Sequence, residues 1–288
     1  MSQQQPQQIT QQQIEEWVLT QATGSFHYTK VLDGIIKQNL YPQLRVVMHR
    51  LKDKGIAYPV NGKDGWWRPA DNRLEEIHWW NSEGEVGENL VLPLGLNKYC
   101  YIPRPSLIVV AGAYNKGKTA FCINLVNLNL EKWENKLVFF VSEGLEMIGA
   151  KFKNLNAYIP IPPPFNTYRR TENFSDVIEP DSLNVIDYLR VEMEQSYAVV
   201  DKLFAIYNKL NTGIAVVAMQ KPPGVRKLAF GGAGTAFEPT LYIAIDETLS
   251  FEKVKVPKIL DRDPYHLKIQ FKIAKGVNFY DINEVYES

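Results

Sequence analysis

Residues 106–133 read SLIVVAGAYNKGKTAFCINLVNLNLEKW: an apolar run, a loop of pattern GxxxxGKT, and then Phe121, Leu125 and Leu128 at helical spacing. A strand, a glycine loop and a helix in that order form one structural unit, so this stretch constrains the fold more than any other. Glycines let backbone N–H groups turn inward around a phosphate, and the first helical turn adds its positive end. The loop Gly112, Ala113, Tyr114, Asn115, Lys116, Gly117, Lys118, Thr119 and Ala120 is therefore the expected phosphate cradle. Within it, Lys118 would bridge β- and γ-phosphates, and the Thr119 hydroxyl would ligate Mg²⁺.

Three further apolar runs end in polar residues. KLVFFVSE ends in Glu143, where a carboxylate could polarise an attacking water; a solvated helix-start glutamate is its alternative reading, and Glu146, three residues on, is a rival. SLNVIDYL carries Asp187 after apolar residues, the position at which a carboxylate holds Mg²⁺ through water. GIAVVAMQ ends in Gln220, able to sense a γ-phosphate. Strands that end in Glu, Asp and Gln predict one polar rim at the carboxyl edge of a sheet, where ligands of open α/β folds sit. The following glycine-rich stretch, KPPGVRKLAFGGAGTAF, carries Lys221, Arg226 and Lys227 and is expected to form a basic loop able to touch DNA. TLYIAID and YHLKIQFKIAK are expected to complete the sheet, the latter beside FEKVKVPKI.

The N-terminal part reads differently. MSQQQPQQI is a Gln-rich stretch expected to form a disordered tail over residues 1–9. Thr10 and Gln13 have capping-box spacing before a helix carrying Ile14, Trp17 and Val18. GSFHYTKVLDGIIK suggests an extended piece and a second helix. A third helix starts near Pro42, with Leu44, Val47, Met48 and Leu51 on one side and Arg45, His49, Arg50 and Lys52 on the other. IAYPV and GWWRPA around Asn61-Gly62 then predict a hairpin. Three helices and a hairpin over residues 10–70 read as a small α+β winged helix-turn-helix domain, with Lys63 and Arg68 placed for phosphates and the third helix for a groove. Such modules also dock proteins, so both partners stay open. Residues 1–70 hold eight Lys/Arg against five Asp/Glu, while the chain as a whole carries 32 of each. Net neutrality argues against a protein that simply coats nucleic acid or an acidic membrane. An acidic stretch over 71–95 reads as a linker, and 96–288 as the second domain.

Two cysteines, Cys100 and Cys122, without a Cys/His cluster suggest neither a disulfide scaffold nor zinc, and the absence of a signal or a long apolar run predicts a cytoplasmic protein with no membrane partner.

The runs IVVAGAYNKGKTAF, FFVSE, NVIDYL, AVVAMQK and FKIAK together resemble the RecA-type ATPase core of DnaB-like replicative helicases and related phage and plasmid ATPases, over roughly residues 90–280. The resemblance implies an α/β fold whose mostly parallel sheet is sandwiched by helices, with ATP and Mg²⁺ as cofactors. It implies Lys118 and Thr119 as the Walker A pair, Glu143 as catalytic base, Asp187 as the Walker B carboxylate, Gln220 as sensor, and Lys275 as a lysine reaching the ATP site of a neighbour in a ring or filament. Helicases of this kind commonly carry an arginine two positions after that lysine; here the position is Val277. A DNA-dependent ATPase of replication, recombination or mobile-element maintenance is the resulting expectation. A nucleotide-switched DNA-binding regulator or loader, and a signalling NTPase whose winged helix binds protein, are the alternatives.

Overall fold

The computed structural model describes residues 10–34, 36–72, 74, 78, 80, 89–190, 198–222, 227–258 and 263–286. The chain divides into two compact units, Met1–Ser82 and Glu83–Ser288.

In the first unit, helix α1 (Gln11–Thr20) opens with the capping box that Thr10 and Gln13 suggested. The Thr10 hydroxyl accepts from the Gln13 N–H, and the Gln13 side chain accepts from the Thr10 N–H. After strand β1 (Phe26–His27) the chain does not form the expected second α-helix. Tyr28–Gly34 is instead a kinked 3₁₀ stretch in which Leu32 and Asp33 take positive φ. The reason is local: Asp33 and Gly34 favour turns, and Val31 is extended at ψ 141°, which interrupts any helical ladder. Helix α2 (Tyr41–Asp53) has Pro42 in its first turn and buries Leu44, Met48 and Leu51. Strands β2 (Ala57–Pro59) and β3 (Trp66–Pro69) form the antiparallel hairpin, and β1 pairs with the other edge of β3. Ile14, Trp17, Phe26, Val31, Ile36 and Trp67 join the helix residues in one core.

The second unit is built on strands β4 (Ser106–Gly112), β5 (Leu137–Val141), β6 (Asn166–Arg169), β7 (Leu183–Leu189), β8 (Ile214–Gln220), β9 (Leu241–Ile245), β10 (Thr248–Val254), β11 (Leu267–Ala274) and β12 (Asn278–Tyr286), with helices α3 (Lys118–Leu128), α4 (Leu145–Asn154) and α5 (Ala198–Tyr207). The sheet order is β12-β11-β10-β9-β4-β8-β7-β5-β6. The strands from β9 to β6 are parallel, and β10, β11 and β12 continue antiparallel. Residues of β4 alternate between two cores: Ile108 and Val110 face α3 and α4, while Leu107, Val109 and Ala111 face α5. A sheet buried on both faces explains the unbroken apolar runs in sequence. This is an α/β fold, a mostly parallel sheet sandwiched by helices, as the sequence led one to expect. Strand β6 had no sequence signal, because all four of its residues are exposed at the edge and none alternates in polarity.

One finding refines a sequence boundary. Leu90 and Leu92 are buried in the large core, so that unit begins before residue 96 and the linker is shorter than 71–95. The cause is Asn129 at the end of α3: its carbonyl accepts the Val91 N–H, and its amide donates to Val91 O and Leu125 O. Helix α3 is apolar around most of its circumference because the β11–β12 hairpin lies over it. Val277 is fully buried, and Asn124 donates to its carbonyl at 2.6 Å. Leu128, expected inside, is exposed in the last turn. Cys100 and Cys122 are both buried free thiols.

Asn129→Ala leaves several buried backbone groups short of a partner. It is expected to destabilise the large unit by roughly 2–4 kcal/mol, read as a lower urea midpoint; an unchanged midpoint would show that the clamp is dispensable.

Candidate functional site

The loop between β4 and α3 is shaped by its glycines. A Cβ on Gly112 would stand 2.4 Å from the carbonyl oxygen of Ile245 on β9, so close approach of two strands requires glycine there. Gly117 caps α3 at φ 101°, a left-handed conformation, and a Cβ on it would meet Ile273 of β11 at 2.7 Å. Between them Asn115 also takes positive φ, and Tyr114 points outward and is exposed. The next residue, Lys118, is only 8% exposed. Its ammonium donates to Gly112 O at 3.0 Å, Ala113 O at 2.7 Å and Gln220 Oε1 at 3.3 Å. Burial lowers its pKa, and the nearby Asp187 works against that shift. All three of these acceptors are neutral, so a buried positive charge inside a glycine-limited loop lacks a directly bonded counter-charge among them. A polyphosphate satisfies that chemistry.

Strand register carries the other polar ends to the same rim. Gly112 pairs with Gln220, and Val141, two residues before Glu143, pairs with Asp187. Asp187 is 3% exposed, and burial pushes its carboxyl up to about 6 against the Thr119 hydrogen bond and the charges of Lys151 and Lys118; Glu143 adds to the rise. Thr119 thus stands near Asp187, and the two could hold Mg²⁺ beside bound phosphates. A site with two protein ligands suits Mg²⁺, which keeps several waters and takes the rest of its shell from phosphate. Among the described residues no group of three His, Cys, Asp or Glu forms a cation site by itself. Glu143 is part-buried and bonded to Lys151 of α4 at 2.6 Å. Glu146 lies exposed in the first turn of α4, where a carboxylate complements the helix end.

Two members of this row were not singled out from the sequence. Asp246 follows β9, accepts the Ala113 N–H at 3.0 Å and pairs with Lys221. Its signal was available, since TLYIAID is an apolar run ending in a carboxylate like the others. Lys151 had none, because only the fold brings the middle of α4 to Glu143. Lys221 itself is 5% exposed and is tied to Asp246, so it is part of the rim and not a DNA-facing loop cation. Lys116 pairs with Glu247 on the outer side of the loop.

The remaining candidates stand elsewhere. Lys275 is exposed at the tip of the β11–β12 hairpin, at φ 52° beside Gly276 at φ 75°. Lys272 is bonded to Asp281. Val277 is a core position, so an arginine there would have to displace packing over α3. Lys227 lies 3.7 Å from Glu252, and Arg226 falls outside the described residues. In the first unit Arg45 is bonded twice to Asp64 and lies over Tyr28, and His49 meets the edge of Trp67. Arg50 and Lys52 are exposed in the last turn of α2. Lys63 stands over Trp66, and Arg68 over Tyr58. Among the described residues no helix is long and apolar enough to cross a membrane.

No family model matches the chain, and no curated protein does. Among solved structures, a KaiC-like protein from the hyperthermophilic archaeon Pyrococcus horikoshii aligns with a TM-score of 0.48 at 15% identity, over 67% of this chain and 98% of that one.

The raised carboxyl of Asp187 has a defined pH signature. The native state holds this proton up to about pH 6, whereas the unfolded chain releases it near 3.8, so the group favours folding at low pH and that contribution is lost as pH rises through 6. Without nucleotide, Asp187→Asn should therefore gain stability relative to the parent between pH 4 and pH 7, by about 3 kcal/mol, in urea titrations. A difference that stays flat with pH would refute the assignment.

Proposed function

We propose that the chain binds and hydrolyses ATP with Mg²⁺ and couples that cycle to DNA, assembling through its RecA-like core. The observation that carries this reading is Lys118: a buried ammonium among neutral acceptors, next in sequence to Thr119 and with buried Asp187 nearby. Lys118 would turn from the loop carbonyls to the β- and γ-phosphates, and the N–H groups of the loop and first turn of α3 would hold the β-phosphate. Mg²⁺, when bound at Thr119 and Asp187, supplies neutralisation of the triphosphate charge. Glu143 would take a proton from the attacking water as its oxygen bonds to the γ-phosphorus and the bond to the ADP oxygen breaks. To act as that base Glu143 must exchange its partner Lys151, so the pair sets a barrier before chemistry. Gln220, bonded to Lys118 in this state, is placed to register the γ-phosphate and pass the change to the loop after β8.

Residues 10–70 are read as a winged helix-turn-helix domain that contacts DNA, with Arg50, Lys52, Lys63 and Arg68 exposed for the purpose and Arg45 and His49 engaged within the unit. Lys227 and Arg226 belong to the basic loop after β8. The exposed hairpin tip at Lys275 suits a lysine offered to the nucleotide of a neighbouring copy in a ring or filament.

The second reading, a nucleotide-switched DNA-binding regulator or loader, is favoured by two observations. Val277 is buried where a motor of the resembled kind carries an arginine, and Glu143 is paired to a lysine. Both lead to slow turnover.

Lys118→Ala is expected to abolish ATP hydrolysis, at least a hundredfold loss on the scale of an electrostatic contact to the transition state. A purified protein that neither binds nor hydrolyses ATP would sink the proposal. Lys151→Met should leave binding of a fluorescent ATP analogue within about twofold while changing the turnover rate and its pH profile; identical profiles would show that the Glu143 pairing does not gate the reaction. Sizing with a non-hydrolysable analogue and DNA tests assembly: a persistent monomer leaves Lys275 with no neighbouring site.

A further inference from the structure

The outer face of the small sheet in the first unit is not needed by its core. Phe26, Ala57 and Trp67 point inward and are buried, so the alternation of β1, β2 and β3 turns His27, Tyr58, Trp66 and Arg68 outward. Tyr58 and Trp66 each keep 39% exposure. Register sets Tyr58 opposite Arg68 and His27 opposite Trp66, and the His27 and Trp66 rings lie 6.0 Å apart. Each large ring carries its own cation: the Lys63 ammonium is 5.6 Å from the Trp66 centroid, and the Arg68 guanidinium 5.4 Å from that of Tyr58.

We propose that this face is a stacking platform for unpaired nucleic-acid bases, with one base on Trp66, the next on Tyr58, and Lys63 and Arg68 moving from the rings to the flanking phosphates. The inference rests on the reading of this unit as a DNA-contacting module and replaces groove reading by α2 as its main mode. Three observations favour a single strand. First, the unit of recognition matches: each nucleotide offers a π-face and a negative charge, and each site offers an aromatic face and a positive one. Second, Trp66 on β3 stands diagonally across from Tyr58 on β2, a relation that spaces side chains by about 7–8 Å, roughly twice the 3.4 Å spacing along a stacked strand, which suits a strand pulled open. Third, α2 is poorly equipped for a groove. Arg45, in its middle, is held by Asp64 in two hydrogen bonds, and that pairing also neutralises an acid beside the platform. Only the last turn, with Arg50 and Lys52, is left exposed and basic.

The test uses the full chain and two fluorescein-labelled probes, a twenty-nucleotide oligo-dT and a mixed-sequence duplex of the same length, read by anisotropy without nucleotide. Oligo-dT should bind more tightly than the duplex. Trp66→Ala and Tyr58→Ala should each weaken oligo-dT binding by about tenfold with an unchanged salt slope, whereas Arg68→Ala should reduce the slope by about one. Trp66→Phe keeps a ring and should retain most of the affinity, which separates stacking from misfolding; unfolding midpoints and ATP hydrolysis without DNA should match the parent. Tighter duplex binding lost in the Arg50→Ala, Lys52→Ala double variant would overturn the platform while leaving DNA contact intact. Aromatic variants that bind oligo-dT like the parent would overturn it, and binding to neither probe would overturn both readings.

Discussion

A positive charge held out of water inside a glycine-limited loop is the constraint on which the large unit depends. Lys118 can be buried only because Gly112 lets β4 pass against the Ile245 carbonyl and Gly117 starts α3 in a left-handed turn under Ile273. The same geometry ties β9 and the β11–β12 hairpin to the loop. They form the walls that fix the loop, and through them the outer antiparallel half of the sheet is mechanically part of the cradle.

Around that charge the rim carries three carboxylates, two of them paired to lysines. Asp187 stands near Thr119, Glu143 lies against Lys151, and Asp246 against Lys221 and the Ala113 N–H. Two of the carboxylates are paired to lysines, whereas Lys118 meets only neutral acceptors, so on the proposed reading a triphosphate would find unmatched positive charge at Lys118 and exchangeable pairs beside it. Lys118 bonds loop carbonyls, Lys151 bonds the Glu143 carboxylate, and Lys221 is paired with Asp246.

The first unit follows a different logic. Its core is closed by α1, α2 and the inner residues of three short strands, and the surface proposed to be functional is built from what that core does not use. Pairing of Arg45 with Asp64 removes a cation from α2 and leaves the aromatic and basic residues of the hairpin as the more available chemistry.

Local sequence alone determined the elements whose signals are local: the strand, loop and helix around Lys118, the apolar strands ending in Glu143, Asp187 and Gln220, the Thr10 capping box, and the hairpin at Asn61-Gly62. Each rests on periodicity, a cap or a turn residue within a few positions. Tertiary structure decided what depends on contacts across the chain. Asn129 reaches 38 residues back to Val91 and moves the domain boundary. The hairpin over α3 makes Val277 a core residue, which explains an apolar side chain where the resembled family commonly has arginine. Lys151 meets Glu143 because α4 packs back on the sheet, and Lys221 is buried against Asp246 although its sequence context reads as a surface loop. Whether a charge faces water or a counter-charge is set by which strands lie side by side, and that order is a property of the folded sheet.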